Sequence, residues 1–291
     1  MDDFRKKLIA LIHHAGLSWN TVYQYMKKDL AVHGELPFNQ YNLFPSSTST
    51  ITSNDPSLTS IHLEHISRLI EQYEKNGIKV ITIFDQNYPA LLKEIYQPPW
   101  VLFVKGDLSL LEKQPKLAVV GSRQATQYGR NAIGLMFPPL VEKGVVIVSG
   151  LAKGIDALAH EYAINSGGKT IAVIAGGLYH IYPRENAEIA KEMMKSQLVI
   201  SEYPPDTKPL RWHFPARNRI ISGLSNGTFI IEAKRKSGSL ITANYAVNEG
   251  REVFSLPGSI FNHNSLGTND LIKQGAKLVM CSEDILEELR L

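Results

Sequence analysis

The chain has 291 residues, room for one large domain and a small one. Its 44% hydrophobic and 20% charged residues are those of a folded globular protein rather than a disordered or fibrous one. A net charge of +3 is mild, so any attraction for a polyanion has to come from local clustering. A single cysteine, Cys281, excludes an intrachain disulfide and fits a reducing cytoplasm; no 18-residue apolar run marks a membrane span, and charges followed by His13 and His14 are not a secretory leader.

Apolar residues at helical spacing, Phe4, Leu8, Leu11 and Ile12, then Val22, Tyr23, Met26 and Leu30, predict two short helices broken at Gly16–Ser18, with Ser18 as N-cap of the second. A third helix is expected from Ile61 to Tyr73. Between them, residues 46–60 (SSTSTITSNDPSLTS) read as a polar linker. These helices form an expected N-terminal helical domain, residues 1–77.

After Gly77 the rhythm changes. Short β-branched runs, VITIF (80–84), KLAVVG (116–121), VVIVSG (145–150), TIAVIAGG (170–177), LVISE (198–202), TFIIEA (228–233) and EVFSLPG (252–258), alternate with helical stretches at 154–167, 185–196 and 239–250. The runs are apolar throughout, as strands covered on both faces are. Residues 78–291 are therefore expected to form a doubly wound α/β domain with a mostly parallel sheet. Pro138–Pro139 is expected to kink or shorten the first long helix.

Ligands of open parallel sheets bind at the carboxyl ends of strands, where helix N-termini present free N–H groups. Gly121-Ser122-Arg123, Gly150 with Lys153, and Gly176-Gly177 each follow a strand, and Arg184 follows the last of them. Each glycine has a plain alternative as the hinge of a tight turn. From Lys208 to Lys236 there are seven Lys/Arg and one acid, Glu232, a local footprint for a polyanion. Within it Arg217, Asn218 and Arg219 are candidate phosphate contacts. Arg219, and to a lesser degree Arg217, also suits an anchor for a helix end or for Glu232, and Lys234–Lys236 a solvated run. Tyr128, Tyr179, Tyr182, Trp212 and Phe214 flank the same rim, where base stacking would be worth roughly 1–3 kcal/mol per ring. Taken singly, most of these rings suit a core role better; Trp212 is the one expected to be exposed.

No catalytic, metal or cofactor constellation stands out. GGKT (167–170) leads into a strand rather than a helix, and no G-x-G-x-x-G follows a strand. His62 and His65 lack a companion ligand set. Asp156 and His160 lie one helical turn apart, with His160 read as a packing residue, and no G-x-S-x-G elbow exists.

Taken together, AVVGSRQATQYG (118–129), SGLAKGIDALAH (149–160), IAGGLYHIYPRENAEIA (174–190), FPARNRIISGLS (214–225), EAKRKSGSLITA (232–243) and VFSLPGS (253–259) closely resemble the DprA/Smf family of bacterial DNA-processing proteins, in the family's order, from about Asn87 to Ala276. The resemblance implies an extended Rossmann-like fold behind a SAM-like helical module, with no cofactor and no known catalytic activity. It implies a protein that coats incoming single-stranded DNA during natural transformation, displaces or bypasses single-strand-binding protein and loads RecA. It carries a phosphate contact to Gly121, Ser122 and Arg123, a DNA contact to Arg184, and the family's RNR block to Arg217, Asn218 and Arg219. A homodimer is implied near Leu266, Leu271 and Ile272. The chain ends in an acidic helix, so the winged helix of some members is expected to be absent. A rival resemblance, looser, links GLSNGTFIIEA (223–233) to nucleoside-monophosphate phosphoribohydrolases, with Glu232 catalytic; the consecutive PGG of that motif is missing.

Overall fold

The computed structural model describes residues 1–13, 17–33 and 63–290. The first two helices, α1 (Asp3–His13) and α2 (Trp19–His33), form where expected, and Ser18 caps the second by accepting the Thr21 N–H at 3.1 Å. The third, α3 (Leu63–Lys75), turns Ile66 and Tyr73 inward; its expected start at Ile61 and the linker 46–60 lie outside the described residues.

Among the described residues nine strands form one sheet. In chain order they are β1 (Lys79–Thr82), β2 (Val101–Gly106), β3 (Lys116–Val120), β4 (Val146–Ser149), β5 (Lys169–Ile174), β6 (Leu198–Ser201), β7 (Gly227–Ile230), β8 (Glu252–Ser255) and β9 (Lys277–Leu278). Their spatial order is β1-β2-β6-β5-β4-β3-β7-β8-β9. The first three are joined by antiparallel pairings, and all other neighbours are parallel. This is the expected mostly parallel doubly wound sheet. Strands β2 and β9 were not among the sequence expectations: β2 inserts antiparallel beside β6, outside the βαβ rhythm, and β9 has two residues.

Short α4 (Ala90–Lys93) precedes β2, and the crossovers carry α5 (Gln127–Glu142), α6 (Ile155–Asn165), α7 (Ala187–Ser196), α8 (His213–Gly223), α9 (Gly238–Asn248) and α10 (Leu266–Lys273), with α11 (Glu283–Glu288) last. Successive side chains of a strand point to opposite faces. Leu117, Val119, Ile147 and Phe229 thus pack with Ile133 and Phe137 of α5, Ile155 of α6 and Ile285 of α11. Ala118, Val120, Val148 and Ile230 pack on the other face with Met193 of α7, Ile220 of α8 and Ala243 of α9. That second core runs without a break into the N-terminal helices through Leu8, Leu11, Met26 and Tyr73. Trp19 stacks on Trp100 at 4.8 Å and donates to the Pro98 carbonyl, while Arg5 pairs with Asp85 at 3.1 Å.

Helix α5 is not cut short at the prolines: it runs on through Pro138 and Pro139 to Glu142. Each proline removes one hydrogen bond, to the carbonyls of Gly134 and Leu135. Leu135 is exposed, so the loss falls on the solvent side while Ile133, Phe137 and Leu140 keep the helix on the sheet. No helix among the described residues is long and apolar enough to cross a membrane.

Candidate nucleic-acid interface

After β3 the chain runs to β4, β5 and β6 on one side and returns to place β7 on the other, so the crevice between β3 and β7 is the topological switch point. The parallel strands β3 to β8 end on one rim, and the glycine turns lie along it. Gly121 is required by contact: a Cβ there would fall 2.7 Å from the Ile155 side chain. Gly154, at φ +77°, lets the N-terminus of α6 come in under the first turn, where the Ile155 N–H donates to the Ser122 carbonyl at 3.1 Å. Ser122 is buried and spends its hydroxyl inside the turn, on the N–H and carbonyl of Gln124. Arg123 points outward, its guanidinium 5.9 Å from the centre of the Phe214 ring.

The β4 and β5 turns are stitched together by Asn186, whose amide donates to the Leu151 carbonyl at 2.9 Å and that of Ala152 at 3.2 Å. Asn186 was not singled out from the sequence; its place between exposed Glu185 and the apolar face of α7 was the available signal. Arg184 is exposed, opening the single turn of 3-10 helix Arg184–Asn186. Neither Arg123 nor Arg184 pairs with a carboxylate among the described residues. Lys153 does, with Glu185 at 2.5 Å on the surface. Gly176 and Gly177 are shaped by the loop after β6: a Cβ on Gly176 would lie 3.0 Å from Pro209, and the Gly177 N–H donates to Thr207 at 2.8 Å. Their small size serves loop packing.

Arg217 faces inward. It is 5% exposed, and its guanidinium lies beneath the rim, donating to the carbonyls of Gly150 and Val173. Helix α8 packs on the sheet through Ile220 and Ile221, and Arg217, three and four residues earlier, shares that inward face. Burial lowers its pKa to about 10, with Asp156 opposing the shift; the same burial raises the Asp156 carboxyl, with Arg217 pulling it back. Asn218 accepts from Arg217 Nε at 3.2 Å and donates to the Gly238 carbonyl at 3.3 Å. Arg219 is mostly buried and pairs with Glu202, so its anchoring role holds but with a different carboxylate from the expected Glu232.

Glu232, two residues beyond the end of β7, is 1% exposed. One carboxylate oxygen accepts the Thr126 N–H at 2.9 Å and the other the Thr126 hydroxyl at 2.6 Å. His160 is fully buried with Nδ1 2.7 Å from the Thr170 hydroxyl, and burial holds its pKa down at about 3, which fits the packing role. His65 is exposed, and His62 lies outside the described residues. Among the described residues no group of three or more His, Cys, Asp or Glu is placed to hold a metal ion.

Residues 79–290 match the family model of DNA recombination-mediator protein A. The chain belongs to that family. It is 51% identical over 224 residues to the DNA processing protein DprA of Bacillus subtilis, covering 77% of this chain and 75% of that one. To the Streptococcus pneumoniae DprA it is 48% identical over 224 residues, covering 77% of each. The crystal structure of Streptococcus pneumoniae DprA superposes with a TM-score of 0.82 at 39% identity, over 97% of both chains. A structure of DNA processing protein A from Helicobacter pylori, described for its single-stranded DNA binding mode, superposes with a TM-score of 0.66 at 32% identity, over 72% of this chain and 95% of that one.

Proposed function

We propose that this DNA-processing protein binds single-stranded DNA along the strand-end rim and acts as a recombination mediator that protects the strand and delivers it to RecA during natural transformation. The observation that carries the binding is the pair of exposed, carboxylate-free guanidinium groups, Arg123 after β3 and Arg184 after β5, on either side of the α6 N-terminus. Gly121, Ser122, Gly150, Gly176 and Gly177 shape the rim, and Lys153 is a weaker contact because Glu185 holds it. Arg217, Asn218 and Arg219 brace the rim from beneath. The single-strand binding mode described for the Helicobacter pylori protein supports the same choice of ligand.

The partners in this proposal are RecA, single-strand-binding protein and a second copy of the chain, in the cytoplasm. The second copy would meet the C-terminal part of the α/β domain, where Leu266 and Ile272 are part-exposed and Leu271 faces the interior. The protein is proposed to work without catalysis. In the phosphoribohydrolase alternative Glu232 would have to reach substrate, yet it is buried and both of its oxygens are engaged by Thr126.

Fluorescence anisotropy of labelled oligonucleotides tests the proposal. Single strands should bind tightly with little sequence preference, duplexes more weakly, and affinity should fall steeply with salt. RecA filament formation on strands coated with single-strand-binding protein should accelerate when the protein is added. Release of base from purine monophosphates would instead establish the alternative.

A further inference from the structure

Helix α6 begins at the rim, and its first turn carries a carboxylate, Asp156, that is 6% exposed. A carboxylate in this place is drawn to free N–H groups and to the positive end of the helix dipole, the same attraction that would hold a phosphate there. One Asp156 oxygen accepts the Ala152 N–H at 3.4 Å, inside the turn after β4. That turn has little freedom to carry the charge away. Leu151 is held at φ +55°, which a leucine adopts only where its surroundings enforce it, and its carbonyl accepts from Asn186. Charged groups reach Asp156 from two elements: Arg217 of α8 from beneath and Arg123 of the turn after β3 from the rim. On its own helix His160, one turn on, is buried with its pKa held at about 3, so it is neutral. Lys153 at the helix start is paired with Glu185, and Glu232 across the switch point has both oxygens engaged by Thr126.

The chain has thus placed its own anion under the point where the proposed ligand would bring another. Two anions on one helix end repel, and salt screens a buried charge far less than an exposed one. We infer that Asp156 makes the phosphate grip of the rim proton-coupled: its buried charge opposes a bound phosphate, and the opposition is lifted when the carboxylate takes up one proton from solvent as the strand binds. The inference rests on the proposed single-strand binding and adds the residue that sets how firmly the rim holds phosphate at a given pH. Burial already raises the Asp156 carboxyl above 3.8 in the free protein, against the pulls of Arg217 and Arg123. A phosphate on Arg123 adds a second anion and raises it further. Between the free and bound values the complex holds more protons than the free protein, so affinity falls as pH rises through that window and is level on either side.

Oligothymidylate, whose bases carry no group titrating in the acid range, is the probe. Its binding is followed by anisotropy at constant ionic strength from about pH 4 to about 7. His180 and His213 near the rim titrate in the same range and with the same sign, so the parent is compared with Asp156→Asn, which removes the charge and keeps an oxygen for the Ala152 N–H. The variant should bind roughly tenfold more tightly than the parent at the top of the range, the effect of a one-unit shift, and the two should converge at the bottom. A second measurement uses the parent alone and so decides even where the variant does not fold. By carbon-13 NMR the Asp156 carboxyl should titrate at higher pH with the oligomer bound than without it. An unmoved carboxyl titration, or parent and variant affinities that run parallel across the range, would overturn the coupling while leaving the phosphate site standing. Failure of the parent to bind oligothymidylate at any pH would overturn the single-strand proposal and the coupling together.

Discussion

Glu232 grips Thr126 twice, accepting its N–H at 2.9 Å and its hydroxyl at 2.6 Å. Thr126 is the N-cap of α5, and Glu232 lies two residues beyond the end of β7, so the pair crosses the switch point and fixes the loop that carries Arg123. A carboxylate at a helix N-terminus is favoured by the free N–H groups and the helix dipole. The fit is close enough that a Cβ on Gly129 would fall 2.6 Å from the Glu232 carboxylate. Glu232→Ala leaves the Thr126 N–H and hydroxyl without their acceptor. It should lower stability by about 1–3 kcal/mol in denaturant melts and weaken single-strand binding. A variant as stable as the parent and equally tight would remove this positioning role.

Arg123 and Arg184 are expected to act as independent phosphate contacts. Arg123→Ala and Arg184→Ala should each weaken single-strand binding and reduce the slope of log affinity against log salt by about 0.7, one phosphate's share on a single strand. Lys153→Ala should do less, because its ammonium is already paired with Glu185. Glu185→Ala frees that ammonium and removes a negative charge from the path, so it should tighten binding. An unchanged salt slope in both arginine variants would move the phosphate site elsewhere.

Arg217 makes a different prediction from its neighbours on the rim. Removing it leaves Asp156 buried without its cation and the carbonyls of Gly150 and Val173 without a donor. Arg217→Ala should lower stability by about 1–3 kcal/mol for each buried carbonyl it leaves without a donor. Asp156 already titrates above its unfolded value of 3.8, so it withdraws stability as pH rises from there to its folded pKa. Without Arg217 that folded pKa moves higher, and the loss should extend further up the pH scale. Denaturant midpoints of parent and variant between pH 4 and about 7 check the sign.

The parallel strands could be read from the sequence because strands covered on both faces are continuous apolar runs, and the glycine turns because they sit where those runs stop. Arg123 was legible for the same reason: position after a strand end fixes which rim a residue joins. Arg217 was not, since a count of charges from Lys208 to Lys236 does not register which face of α8 each occupies. Seven cations in that stretch looked like one basic wall, yet Arg217 is internal, Arg219 is held by Glu202, and Arg235 pairs with Asp270. Trp212 was legible as exposed because it stands between Arg211 and His213 in a segment bounded by Pro209 and Pro215. The contact that fixes its neighbour Phe214 under Arg123 depends on tertiary geometry.

Glu249, the C-cap of α9, is expected to make stability depend on pH far from the DNA rim. Burial raises its pKa from 4.5 to about 7, against opposing pulls from Ser222, Arg251 and Arg219. One of its carboxylate oxygens is enclosed without a hydrogen-bond partner. The unfolded chain loses this proton near 4.5 and the folded chain near 7, so between those values unfolding releases a proton. Stability from this group is therefore full below 4.5, declines as pH rises through that window, and levels off above 7. Glu249→Gln removes the ionisation while keeping the size. Its midpoint in urea should exceed the parent's by a margin that grows from pH 5 to about 7 and is constant above. A margin that does not change with pH would mean that Glu249 is ionised throughout and that its enclosed oxygen finds compensation from Arg251.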